Sequence, residues 1–262
     1  MRCLSIWFAA LALSAYGQVQ TAWRPAVLRS VGIDQKMGAQ VPVNLPFLDE
    51  SGHSVTLSQY LGKPVILALV YYQCPSLCNM VLNGVLRSVK NLSLTAGDEY
   101  DIVAVSFDPR ETSEMAAAKK ASYVKGYNRL GAEQGWHFLT GPEASSKTLA
   151  EAVGFHYAYD AVSNQYAHGS AIMLLTPDGR VARYFYGIDY PARDVKLGLV
   201  EASDRRIGSA IDAVMLYCYH YDPSNGKYGM LVMNVLRVAG IVTVATLAGF
   251  MIVMFRRDFK AA

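Results

Sequence analysis

The stretch "PVILALVYYQCPSLCNMVLNGVLRSVKNL", residues 64–92, decides how the rest of the chain is read. Its first nine residues form an unbroken apolar run of strand length, the pattern of a strand covered on both faces. After Cys74-Pro75-Ser76, apolar residues recur at Leu77, Val81, Val85 and Val89, which is helical spacing. Pro75 suits the first helical turn, where its missing N–H costs nothing. The junction of strand and helix carries two cysteines four residues apart, Cys74 and Cys78. In an open α/β sheet that junction is where chemistry is placed.

Reading outward, "VPVNLPFLDESGHSVTLSQYLGKP" predicts two short edge strands around the turn DESGH. "YDIVAVSFDP" predicts a second buried strand. "TSEMAAAKKASYVKGY" predicts a helix capped by Thr112 or Ser113, and "WHFLTG" a short third strand. A helix follows over "PEASSKTLAEAVGF", closed near Gly154. "GSAIMLLTPDGRVARYFYG" predicts a hairpin turning at Pro177-Asp178-Gly179, and a final helix begins at Pro191, with a candidate break near Ser203. The order β-α-β-α-β-α-β-β-α favours a central sheet with helices on both faces.

The ends of the chain carry different signals. Arg2, an apolar stretch to about Leu13, and small residues at Ala15 and Gly17 read as a signal peptide over residues 1–17; a short anchor helix is the alternative. Val238 to Phe255 contains no charge, and at 1.5 Å per residue it covers ~27 Å. With the preceding residues it predicts a transmembrane helix over 229–255, Arg237 reaching toward the headgroups. The basic tail 256–262 places that end in the cytoplasm and the bulk of the chain outside it. Between these lie an irregular segment (18–40), the α/β domain (41–210) and a membrane-proximal linker (211–228). A bacterial inner-membrane protein with a periplasmic domain is expected. A net charge of +3 and the lack of any basic run exclude nucleic-acid binding as a main role.

The mature chain would keep three of its four cysteines, Cys74, Cys78 and Cys218. At i and i+4 the first two share a helix face, and a helix N-terminus lowers a thiol pKa. Such a pair forms a disulfide, static or redox-active, or holds a soft ion such as Cu(I) or a borderline one such as Zn(II). Histidine is the usual third ligand. Of His53, His137, His156, His168 and His220, the strongest candidate is His168 in "YAHGSAIMLL", in the loop expected to return over the cysteine-bearing helix. That loop has no proline, so the place where thiol oxidoreductases hold a peptide carries a potential ligand. Peroxidase-type sites add a Thr or Arg beside one reactive cysteine, and no such constellation is seen.

"YYQCPSLCN", "VAVSFDPRET" and "AHGSAIMLLTPDGRVARYFYG", in this order, resemble the Sco/SenC family. The resemblance covers about Val41 to Ala202. It implies a thioredoxin-like fold and a copper chaperone that builds the copper A centre of cytochrome c oxidase. Copper would be bound by Cys74, Cys78 and His168, with Asp108 near the site or at a docking surface. The implied partners are the oxidase's copper-bearing subunit and other copper or thiol carriers of the cell envelope. The alternative is a thiol-disulfide oxidoreductase that cycles Cys74 and Cys78 to reduce the oxidase's cysteines. The chain departs from the family in two ways: its anchor follows the domain instead of preceding it, and Glu111 stands where Asp is common. Outside the resemblance, Cys218 and His220 are read as a buried cysteine beside a surface histidine, as an intermolecular disulfide, or as a second, weaker copper point near the membrane. Met230 and Met233 are read as helix-facing residues before thioether ligands.

Overall fold

The computed structural model describes residues 30–74, 77–207, 221–222, 227–228 and 230–261. The signal-peptide segment, Pro75, Cys218 and His220 lie outside the described residues. The core is a five-stranded mixed sheet, ordered β10-β9-β4-β5-β6. Three parallel strands run through its centre and one edge: β4 (Val65–Val70), β5 (Asp101–Ser106) and β6 (Trp136–Leu139). β9 (Ala171–Leu175) pairs antiparallel with β4, and β10 (Val181–Tyr186) closes the other edge as a hairpin with β9. Every residue of β4 and β5 is buried, as strands inside a covered parallel sheet require. The turn falls at Pro177-Asp178-Gly179 as expected, with Gly179 at φ +81°.

Four helices belong to this domain: α1 (Leu77–Lys90), α2 (Ser113–Tyr127), α3 (Glu143–Ala152) and α4 (Ala192–Ser203). α1 buries Cys78, Val81, Leu82, Val85 and Val89 as one stripe. It packs against α2 and α4; α2 also covers β6, and α4 covers β9 and β10. Thr112 occupies the cap position of α2, though its side chain makes no capping bond. α4 ends at Ser203, where a break was expected.

One feature departs from the expected order. The edge hairpin is present as β2 (Pro46–Leu48) and β3 (Ser54–Thr56). A further three-stranded sheet, however, stands apart from the central one: β1 (Gly32–Ile33), β7 (Phe155–Asp160) and β8 (Gln165–His168), in the order β1-β7-β8. The stretch expected to run as loop from Gly154 to His168 is thus a hairpin, and part of the irregular segment 18–40 is its third strand. Gly154 makes the join possible. Its φ is +66°, and a Cβ there would lie 1.9 Å from the Asp34 carbonyl oxygen.

Beyond the domain, β11 (Tyr221–Asp222) and β12 (Lys227–Tyr228) pair antiparallel, and α5 runs Met230–Ala261. Among the described residues, no helix is long and apolar enough to cross a membrane. The expected transmembrane helix is therefore not supported at this level.

Candidate metal centre

β4 ends at Val70, and the chain crosses Tyr71, Tyr72 and Gln73 to reach Cys74 before α1 begins. Cys74 is 5% exposed and Cys78 1%. The two are thiols, not joined in a disulfide. Their closeness follows from the i, i+4 geometry: the Cys78 N–H points at the Cys74 sulfur, 3.4 Å away. The Tyr71 N–H donates to Cys78 Sγ at 3.3 Å. Asn79 Nδ2 donates to the Cys74 carbonyl at 2.9 Å and is itself held by Lys119 Nζ, 2.7 Å from its Oδ1.

His168 arrives from the opposite side, at the end of β8 and paired with Tyr157. Its Nε2 lies 3.2 Å from Cys78 Sγ, and its Nδ1 is 2.7 Å from the Gly169 carbonyl oxygen. A carbonyl can only accept, so the proton sits on Nδ1 and the Nε2 lone pair faces the sulfurs. This is the arrangement of a metal-binding histidine, oriented by a bond from its other nitrogen. Ligand atoms of Cys74, Cys78 and His168 all lie within 4.8 Å of one another. A three-ligand set with bonds of about 2.0–2.3 Å places its donor atoms about 3.5–4 Å apart. Small side-chain rotations would therefore close these three on an ion, and they could hold one.

The protonation of Cys78 differs from expectation. A helix N-terminus was expected to favour thiolates, but burial pushes the Cys78 thiol well up, and the neighbouring Cys74 side chain adds to it. Desolvation of a nearly sealed sulfur outweighs the helix end. A bound cation would reverse this balance, since a coordinating thiol loses its proton.

The remaining candidates are placed elsewhere. His53 is exposed beside Asp49, and His156 pairs with Asp34 on the surface at 2.9 Å. His137 lies in β6 against the Tyr60 ring, 4.3 Å between centroids. Asp108 is near the site, but it is 3% exposed and both carboxylate oxygens are taken by Arg110, at 2.8 and 2.6 Å. It anchors the Arg110 guanidinium from inside the turn.

Sequence reasoning passed over Glu111 as a tolerable replacement. Its buried carboxylate accepts from Tyr72 N at 2.7 Å, Gln73 N at 2.6 Å and Ser106 Oγ at 2.6 Å. Burial raises its pKa against these bonds, which favour the charged form. Its place in "VAVSFDPRET" marked it as a departure, but nothing in the spacing showed that its carboxylate would hold the backbone leading into Cys74.

No curated protein sequence matches the chain. A structure from Aquifex aeolicus VF5, of a protein proposed to transfer electrons, aligns with a TM-score of 0.58 at 23% identity, over 67% of this chain and 98% of that one. A SCO1/SenC family lipoprotein from Bacillus anthracis str. Ames aligns with a TM-score of 0.53 at 18% identity, over 64% and 98%. Arabidopsis thaliana ScoI with copper bound aligns with a TM-score of 0.48 at 20% identity, over 62% and 96%. The first two show a shared fold. The SCO1/SenC profile matches residues 35–196, which is most of the chain and all of the candidate site, so the chain belongs to the SCO1/SenC family.

Proposed function

We propose that this protein is a membrane-anchored copper chaperone. It holds Cu(I) on Cys74, Cys78 and His168 and passes it to the copper-bearing subunit of cytochrome c oxidase during assembly of the copper A centre. One observation carries the reading: two thiols from the β4–α1 junction and an imidazole lone pair from the end of β8 converge within 4.8 Å. Two soft sulfurs select Cu(I) over harder ions. Binding would expel the two thiol protons, so affinity falls with acid. A three-ligand site leaves room for an incoming ligand from the partner to attach before one of its own departs.

The anchor is proposed from residues 229–255, with the tail 256–262 in the cytoplasm and the domain on the periplasmic side of a bacterial inner membrane. The uncharged run Val238–Phe255 supports it. So do the exposed Ile241, Val244, Leu247 and Phe250 on α5, which need an apolar environment. Other copper or thiol carriers of the envelope are the expected source of the ion.

The second reading is a thiol-disulfide oxidoreductase, favoured by the adjacency of Cys74 and Cys78. The nearly sealed, proton-holding Cys78 argues against it, since the thiolate is the attacking form.

The test is a Cu(I) titration of the reduced full-length chain in detergent, in competition with a chromogenic chelator. One Cu(I) per chain is expected, lost in Cys74→Ser/Cys78→Ser and weakened in His168→Ala. Undiminished affinity in His168→Ala sinks the three-ligand site. Absent copper binding, with turnover on an oxidised partner peptide, establishes the oxidoreductase instead.

A further inference from the structure

The two halves of the candidate metal centre belong to different sheets. The cysteines follow β4 of the central sheet, and His168 ends β8 of the separate three-stranded sheet. Ninety residues of chain separate Cys78 from His168, so their distance must be set by tertiary contacts. One short turn, Ser106 to Glu111 between β5 and α2, touches both halves.

Toward the cysteines, Glu111 takes the backbone N–H groups of Tyr72 and Gln73, the two residues that lead into Cys74. Toward the histidine, Arg110 grips the β7–β8 hairpin. Its guanidinium is fixed at the base by both oxygens of the buried Asp108. From there it donates to Asn164 Oδ1 at 3.2 Å, in the hairpin's turn. It also lies over two hairpin rings, 5.3 Å from the Tyr159 centroid and 5.7 Å from that of Tyr166. Tyr166 is two residues before His168 on the same strand, hence on the same face. Phe107, in the turn itself, fills the space between: its ring is 4.4 Å from Tyr157, 5.5 Å from Tyr166 and 5.4 Å from His168.

We propose that this turn presets the gap between the sulfurs and the imidazole, with Arg110 a positioning residue for His168 and Glu111 a positioning residue for Cys74. The inference rests on the copper-site reading above. Neither residue is a ligand. Each acts through one: Arg110 through the hairpin that ends in the histidine, Glu111 through the backbone entering the first cysteine.

Two readouts on the full-length chain separate these roles from a general effect on folding. In Cu(I) competition titrations, Arg110→Ala is expected to weaken binding about 10- to 100-fold, the range for groups that orient ligands. In a His168→Ala background the same change is expected to cost nothing further, because the residue it positions is gone. The second readout is the reduction potential of the Cys74/Cys78 pair. Glu111→Gln, whose amide presents a donor to one of the N–H groups, is expected to shift it, and Arg110→Ala to leave it unchanged. Arg110→Lys keeps the charge but not the two-pronged grip. It is expected to bind copper nearly as weakly as Arg110→Ala, and it serves where the alanine variant does not fold. Equal losses from Arg110→Ala with and without His168 overturn the proposal, as does an unshifted potential in Glu111→Gln. Wild-type copper affinity in His168→Ala alone defeats the copper-site reading itself, and this inference falls with it.

Discussion

The cysteine half and the histidine half of the candidate centre are built on opposite principles. Around the cysteines, β4 and β5 are buried at every residue, and α1 buries a continuous apolar stripe. Around His168, β7 and β8 are mostly half-buried, and aromatic rings replace aliphatic packing: Tyr157, Tyr159, Tyr166 and Phe107 form one contact chain. A close-packed aliphatic interior tolerates little displacement. A small, partly solvated sheet opens at lower cost. The comparison teaches that the sulfurs are a fixed platform, while the imidazole is brought to them on a separately held flap.

The largest expected effect tests the platform. Cys78→Ser removes the sulfur that faces both Cys74 and His168. Cu(I) affinity should fall by at least about 10⁴-fold, since a neutral hydroxyl replaces an anionic soft ligand. Competition titration reads this directly, and a loss no greater than that of His168→Ala would erase the asymmetry.

Next is the seam between the halves. Phe107→Ala removes a buried ring that touches Phe155, Tyr157, Tyr166 and His168. A loss of about 3–5 kcal/mol in denaturant unfolding is expected. Hydrogen exchange should rise more in β7 and β8 than in β4 and β5. Uniform loosening would mean the flap is not a separate unit.

A third test turns to a histidine on the platform side. His137 belongs to the central sheet, and burial, with Lys120 nearby, lowers its pKa from 6.5 to about 4. The folded protein therefore binds this proton less readily than the unfolded chain. Its contribution is complete above pH 6.5 and is lost as pH falls through 6.5 toward about 4. The full linkage is about 3 kcal/mol. His137→Gln should lack this part of the acid slope, seen by comparing unfolding midpoints at pH 7 and pH 4.5. An unchanged slope would show that water reaches His137 in the native state.

The smallest effect is expected at the tip of the flap. Val162 is 97% exposed in the turn between β7 and β8. Val162→Ser should change stability and copper affinity by no more than about 0.5 kcal/mol. A larger loss in affinity would identify the tip itself as part of the site.

Much of the cysteine half was legible because its signals are local. A nine-residue apolar run, a helical period over Leu77–Val89 and an i, i+4 cysteine pair each need only a few neighbours to be read. The β9–β10 hairpin announced itself through Pro177-Asp178-Gly179. The β7–β8 hairpin did not. "FHYAYDAVSNQYAH" does alternate, with Phe155, Tyr157, Tyr159 and Tyr166 on one face, but its turn at Asn164 reaches positive φ without a glycine to mark it. His168 was therefore placed beside the right strand but in a loop. Glu111 was noted only for standing where Asp is common, and Arg110 gave no warning, because an acidic and a basic residue in a turn are ordinary on any surface.

By itself the sequence determined the strand-helix junction and the shared face of Cys74 and Cys78, and by resemblance it pointed to His168 as the candidate third ligand. These follow from spacing along the chain, which backbone geometry converts directly into direction. Only the tertiary structure decided that the imidazole's free lone pair meets the sulfurs. It also decided that burial, not the helix end, governs the Cys78 proton, and that one turn holds both halves. Those outcomes depend on contacts between residues 38 to 90 positions apart. At such separations it is the packing of whole sheets, and the water it excludes, that sets distance and charge.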